Sequence, residues 1–261
     1  MLQEKVVIVT GSTTGIGRSI ALACAAQGAS VVVHGRDGER GEQLVRELGD
    51  RALFVAADLA EPASPAHIVD GAVQRFGRLD AVINNAADVT RSNLDSTSAD
   101  LFDQVLSVNV RAPLLLIQAA RPHLRAAKGC VANIGSVNAY GGEQHLLAYS
   151  ISKGALMTLS KNLANALGPE QIRVAHFNVG WVLTENEYRQ KLEDGFPPKW
   201  PEQLGMLTTP IGRMTLPEEI AAVVSFWISD ASRPFSGTVI ELEQYPFAGR
   251  NPLGADKVED A

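Results

Sequence analysis

The 261-residue sequence predicts an α/β fold, a doubly wound parallel sheet of about seven strands with helices on both faces. Three observations carry this reading. Short β-branched apolar runs alternate with helical patterns of about 10–15 residues, a spacing that calls for right-handed crossovers between parallel strands. The first run passes directly into a glycine-rich turn and a helix. No repeat, low-complexity stretch or shift in composition marks a boundary, so residues 1–261 read as one domain.

Composition narrows the partners. With 46% hydrophobic and 20% charged residues the chain can bury a large core, and its net charge of −6 with no basic cluster argues against nucleic acid or an anionic membrane. A small molecule is the expected partner. Cys24 and Cys130 have no neighbours at ligand spacing and read as reduced, buried hydrophobes, which suits the cytoplasm. The apolar run at 6–9 starts too close to Met1 for a signal peptide, and no apolar stretch approaches ~18 residues.

The first strand is expected over 5–10, short and β-branched enough to be buried on both faces. It leads into Thr10-Gly11-Ser12-Thr13-Thr14-Gly15-Ile16-Gly17 and a helix that ends at Gly28. A glycine turn here lets the backbone approach a diphosphate, whose charge then faces the positive end of the helix. The second strand covers 30–34 and ends at Gly35-Arg36-Asp37. A base at this point suits an adenosine 2′-phosphate, so Arg36 favours NADP over NAD; alternatively Asp37 caps the helix over 38–48 and Arg36 is merely solvated.

A strand over 52–56 with Asp58-Leu59 behind it, a helix over 63–76 and a strand over 80–84 continue the alternation. Asn84-Asn85-Ala86-Ala87 then closes the fourth strand at the ligand-binding edge. One helix is expected over 99–124. Within its apolar stretch lies Asn109, which needs hydrogen-bond partners from a kink, a neighbouring helix or a water. The strand over 130–134 precedes Gly135-Ser136, and the strand over 172–178 precedes Gly180-Trp181-Val182-Leu183-Thr184. Periodicity lapses over 185–209, which reads as a substrate lid, and after a helix from Pro217 and a strand over 238–242 the chain ends in a polar tail, 244–261.

Tyr149 and Lys153 lie four apart in a helical run, so a phenol and an ammonium share one face. The same spacing also describes a packed ring beside a solvated amine. Used as a proton-transfer pair, the phenol would have to be held at about 7, a stabilisation of the phenolate by roughly 4 kcal/mol, by nearby positive charge: Lys153 permanently, and an oxidised nicotinamide ring if one is bound beside it. The helix beyond Tyr149 is apolar on more than one face, as expected in a homo-oligomer, a dimer or tetramer.

Over about residues 5–243 these features together resemble the short-chain dehydrogenase/reductase family, a Rossmann-like fold. The glycine turn matches its T-G-x-x-x-G-I-G, Asn84 to Ala86 its N-N-A, and Asn109, Ser136, Tyr149 and Lys153 its catalytic tetrad in order. The resemblance implies hydride transfer between a nicotinamide cofactor and an alcohol/carbonyl pair. It implies that Tyr149 is the general acid/base and that Ser136 orients the substrate oxygen. Lys153 would lower the Tyr149 pKa and bind ribose, while Asn109 would hold a relay water. It also implies that Thr10, Gly11, Ser12, Thr14, Gly15, Ile16 and Gly17 take the diphosphate. The same likeness puts Arg36, Asp58 and Leu59 at the adenosine, Asn85 and Ala86 at the pocket edge, and Gly180, Val182 and Thr184 near the carboxamide and phosphate. Ala87, Val179 and the Glu241-Leu242-Glu243 close depart from the family pattern.

Arg91, Asn138, His145 and Trp181 surround the expected cleft and suit a small polar alcohol or ketone, such as a sugar, polyol or hydroxy acid. A 3-oxoacyl-thioester reductase and a non-catalytic cofactor-binding regulator are the alternatives.

Overall fold

The computed structural model describes residues 1–205 and 209–244. Among them, seven strands form one sheet in the order β3-β2-β1-β4-β5-β6-β7, with every pairing parallel. The strands are β1 (Val6–Val9), β2 (Ser30–Gly35), β3 (Ala52–Ala56), β4 (Ala81–Asn84), β5 (Cys130–Ile134), β6 (Arg173–Val179) and β7 (Thr238–Leu242).

Alternate side chains of the same strands feed two cores. Val7, Val9, Val31 and Val33 pack with Ile20 of α1 (Gly15–Ala26), Leu44 of α2 (Gly38–Leu48) and Ile220 of α9 (Pro217–Ile228). On the other face, Val6, Ile8 and Val32 pack with Ile68 of α3 (Ser64–Phe76), Leu116 of α5 (Ala112–Ala127) and Leu167 of α7 (Leu147–Leu167). This two-sided burial is why β1 and β2 read as unbroken apolar runs, and it stabilises by about 1.5–3 kcal/mol per fully buried aliphatic side chain.

The order of connection reverses between β1 and β4, which leaves a crevice at their carboxyl ends. At the opposite edge, buried Asp80 fixes the register of these strands. Its carboxylate accepts from Val6 N at 2.9 Å and from Arg78 at 2.9 and 2.6 Å.

Two expectations change. The helix expected over 99–124 is interrupted: α4 (Ala99–Leu106) widens into a π-turn, Ser107–Arg111, before α5 begins, with Pro113 in its first turn. Asn109 is the buried residue of that turn, so the irregularity is a widened turn centred on Asn109. The segment expected as an irregular lid contains α8 (Glu185–Glu193) and a short 3-10 turn, Trp200–Gln203. A short helix, α6 (Asn138–Gly141), also follows Ser136. Of the expected tail, residues 245–261 lie outside the described residues.

Asp80→Ala leaves the buried Val6 N–H unpaired. We expect it to destabilise the fold by about 1–3 kcal/mol in urea unfolding, with the m value unchanged.

Candidate active site

The glycine turn is tied to its surroundings atom by atom. Thr10 Oγ1 accepts from Asn85 N at 3.0 Å and Ala86 N at 3.1 Å, joining the ends of β1 and β4. Asn85 Nδ2 donates to Thr10 O and Gly11 O at 2.9 and 3.1 Å. The Ser12 hydroxyl is buried, donating to Val9 O at 2.7 Å and accepting from His34 N at 3.0 Å, and Ser12 N donates to His34 O at 2.9 Å, so Ser12 ties the turn to β2. Gly11 and Gly15 have φ of 62° and 54°, and a Cβ on Gly17 would overlap Gly11 O and Asn85 Nδ2.

Asp37, Ser98 and Thr184 cap α2, α4 and α8 with side-chain oxygens. At α1, Thr14 makes no such bond and the first turn carries no acid. An uncapped helix start behind a bare glycine turn fits a diphosphate, so Gly11 to Gly17 would hold that part of a dinucleotide.

Around the same edge the tetrad residues converge. Ser136, 8% exposed, follows β5, and its hydroxyl faces the Tyr149 phenol closely enough to favour the ionised phenol. Ser136 Oγ also accepts from Asn138 N at 3.2 Å. Lys153, 3% exposed, donates to Ile134 O at 2.8 Å, with Nζ 5.5 Å from the centre of the Tyr149 ring. Asn109 is satisfied by protein: Oδ1 accepts from Asp88 N at 2.7 Å, and Nδ2 donates to Asp88 O and Ser152 Oγ, both at 2.9 Å. Of its possible partners, the neighbouring helix α7 and the loop after β4 take its side chain.

The remaining cofactor-side residues take varied places. Thr184 lies beside Gly15, whose added Cβ would be 3.5 Å from Thr184 Cγ2. Val182 and Leu59 are buried, and Asp58 accepts locally from Ala60 N at 2.9 Å. Arg36 is exposed at the end of β2, while Asp37 accepts from Arg40 N at 3.1 Å, so the capping role of Asp37 is real.

On the substrate side, Trp181 stacks on buried Trp200 at 5.5 Å and donates to Glu187 Oε1 at 2.8 Å, which makes it an anchor of the α8 cap. Arg91 pairs with Asp194 of that cap at 3.1 Å. Neighbouring Ser92 is bonded to His145 O at 2.9 Å and Leu147 N at 3.0 Å, so this loop bridges the cap and the start of α7. The His145 side chain is exposed.

A family model described as enoyl-(acyl carrier protein) reductase matches residues 11–243. The chain is 37% identical over 244 residues to an uncharacterised oxidoreductase of Methylorubrum extorquens, covering 92% of this chain and 96% of that one. It is 35% identical over 231 residues to L-fucose dehydrogenase of Mus musculus, covering 87% and 83%. Its fold matches L-sorbose reductase from Gluconobacter frateurii, solved with NADPH and L-sorbose, with a TM-score of 0.87, 27% identity and coverage of 93% and 96%. The chain belongs to the short-chain dehydrogenase/reductase family. As such it is an NAD(P)-dependent oxidoreductase working between alcohols and carbonyls.

In this dehydrogenase/reductase, burial sets the charge states of the central pair. It raises the Tyr149 phenol above its ordinary 10, partly offset by the facing Ser136 hydroxyl, and pushes Lys153 down from 10.5 to about 8. Lys153 is therefore not the permanent charge that its type suggests.

The sequence reading passed over two histidines. His34 ends β2, where Gly11 N donates to its Nδ1 at 3.1 Å and its Nε2 donates to Ala57 O at 3.2 Å. Burial pushes it to about 4, so the neutral ring cross-links the glycine turn to Ala57, just after β3. His176 lies in fully buried β6. A histidine inside an apolar strand was the available signal for both.

Lys153→Met removes a buried ammonium. The unfolded chain binds more protons than the native one between about pH 8 and 10.5, so wild-type stability rises with pH across that window. At pH 7 the shift corresponds to about 3 kcal/mol of strain. We expect K153M to raise Tm by several degrees at neutral pH while lowering turnover by at least about a hundred-fold.

Proposed function

We propose that the enzyme prefers NADP and acts on a small polar alcohol or ketone of the sugar, polyol or hydroxy-acid class, with Tyr149 as general acid/base. The observation that carries this reading is buried Lys153, held on the Ile134 carbonyl 5.5 Å from the centre of the Tyr149 ring, with Ser136 facing the phenol beside an uncapped glycine turn. When bound, the nicotinamide carries hydride to or from the carbinol carbon and is positively charged when oxidised. Ser136 orients the substrate oxygen toward the phenol. Tyr149 takes the hydroxyl proton in the oxidative direction and returns it in the reductive one. Lys153 favours the phenolate when protonated, and Asn109 holds α7 against the loop after β4 through Ser152 and Asp88.

Similarity to L-fucose dehydrogenase and L-sorbose reductase supports the sugar and polyol class, as do Asn138 next to Ser136 and the polar bridge Arg91–Asp194. Arg36, exposed at the end of β2, is the residue for the adenosine phosphate. The description of the matching family model favours a second reading, a thioester reductase. A non-catalytic regulator is the least supported, because the tetrad is intact. Buried free Cys24 and Cys130 suit a cytoplasmic location.

The deciding assay follows nicotinamide absorbance with NADP and NAD against sugars, polyols, hydroxy acids and a hydroxyacyl thioester. Turnover of a sugar or polyol that falls at least about a hundred-fold in Tyr149→Phe supports the reading, and turnover of the thioester alone overturns it. Arg36→Ala should raise KM for NADP about ten-fold and leave NAD nearly unchanged. We also propose a dimer or tetramer, supported by exposed Ile151 on α7 and Phe226 on α9. Sedimentation at micromolar concentration should find no monomer.

A further inference from the structure

We propose that His176 is a positioning residue for the Ser136 hydroxyl, acting through Gly135. This rests on the reading that Ser136 orients the substrate oxygen.

Gly135 connects β5 to Ser136. It is not among the glycines with positive φ, so its backbone conformation would accept any residue. Space is what requires glycine: an added Cβ would overlap His176 Nε2 and lie 2.8 Å from Asn178 Oδ1. The imidazole edge therefore forms the floor on which the residue before Ser136 rests. Main-chain bonds hold the loop there on both sides of Ser136, Gly135 N to Phe177 O at 2.7 Å and Val137 N to Val179 O at 3.2 Å.

The ring itself is pinned at both nitrogens. Ser160 Oγ lies 3.0 Å from Nδ1, and Asn178 Oδ1 lies 3.0 Å from Nε2. Asn178 Nδ2 faces Glu241 Oε1 at 3.3 Å, which fixes the amide and leaves Oδ1 to accept. The Ser160 hydroxyl also donates to Leu156 O at 2.7 Å, so the ring is held between two polar side chains that are themselves anchored.

These partners connect both halves of the site. Ser160 is on α7, the helix that presents Tyr149 and Lys153, and is held by Asn133 Nδ2 at 2.8 Å. Glu241 accepts from the Tyr140 hydroxyl at 2.6 Å, and Tyr140 lies on α6, immediately after Ser136. The Ser136 loop is thus gripped before and after the serine by one chain of hydrogen bonds that also reaches α7. His176 is the member of that chain in contact with the loop backbone, and it sets the Ser136 to Tyr149 separation. A displacement of about 1 Å at such a point costs on the order of a hundred-fold in rate.

The test uses the full-length enzyme with its best substrate and the variants Ser136→Ala, His176→Ala, His176→Gln, Gly135→Ala and Gly135→Ala/His176→Ala. We expect H176A to lower kcat about thirty-fold and G135A at least as much, with cofactor Kd within about two-fold of wild type in both. H176Q, which can still hydrogen-bond, should recover part of the loss. Because removing the ring makes room for the new Cβ, the double variant should turn over at least about ten-fold faster than G135A, a coupling between neighbours that a general loss of stability would not give. If S136A abolishes turnover while H176A retains kcat within two-fold, or if the two changes combine independently, the role of His176 is wrong and the site reading stands. If S136A retains full turnover, the site reading fails and this proposal fails with it.

Discussion

The site depends on one constraint, a half-buried phenol held beside a buried ammonium. Removing Tyr149 and Lys153 from water favours the uncharged form of each, and no carboxylate enters either balance. A nearby carboxylate would have kept Lys153 charged cheaply; its absence keeps the pair responsive to whatever binds. Part of the compensation comes from the bond Lys153 donates to the Ile134 carbonyl, and Ser136 facing the phenol offsets part of the burial effect on Tyr149. Stability is given up locally for a site whose charge state a ligand can change.

Holding that pair in register requires a rigid edge, which the sheet supplies with buried polar side chains. Thr10 and Asn85 fasten β1 to β4, and His34 ties the glycine turn to Ala57, just after β3. Asn84, Asn133 and Ser160 continue the line to α7. Each of these groups lies where an apolar residue would pack as well, and each finds a partner, as burial demands. The apolar cores fix where the strands run, and this polar line fixes where their ends point.

Much of this was legible in the sequence. Strands buried on both faces announce themselves as β-branched runs, and β7 matches its expected bounds. Spacing alone left Tyr149 and Lys153 open to the reading of a packed ring beside a solvated amine, and only the resemblance grouped them with Asn109 and Ser136. The π-turn was not legible, because residues 105–110 give the same apolar pattern whether the turn closes normally or widened. Helix α8 buries none of its residues, so it leaves no amphipathic stripe; its Thr184 cap and the Glu185 and Glu187 of its first turn were the only cues. The contact between Gly135 and His176 joins residues from two different strand ends, a relation that only the folded sheet creates.

The most direct test of the charge account is the ionisation of Tyr149 itself, followed by tyrosinate absorbance near 295 nm as wild type minus Tyr149→Phe. The titration is run without cofactor and then with saturating oxidised cofactor. Without cofactor, no Tyr149 signal should emerge below about pH 10, and with it the transition should move down by at least about two units. A cofactor-free enzyme whose Tyr149 already ionises near pH 7 would contradict the account, because the protein alone would then supply the charge that its neutral-leaning pair lacks.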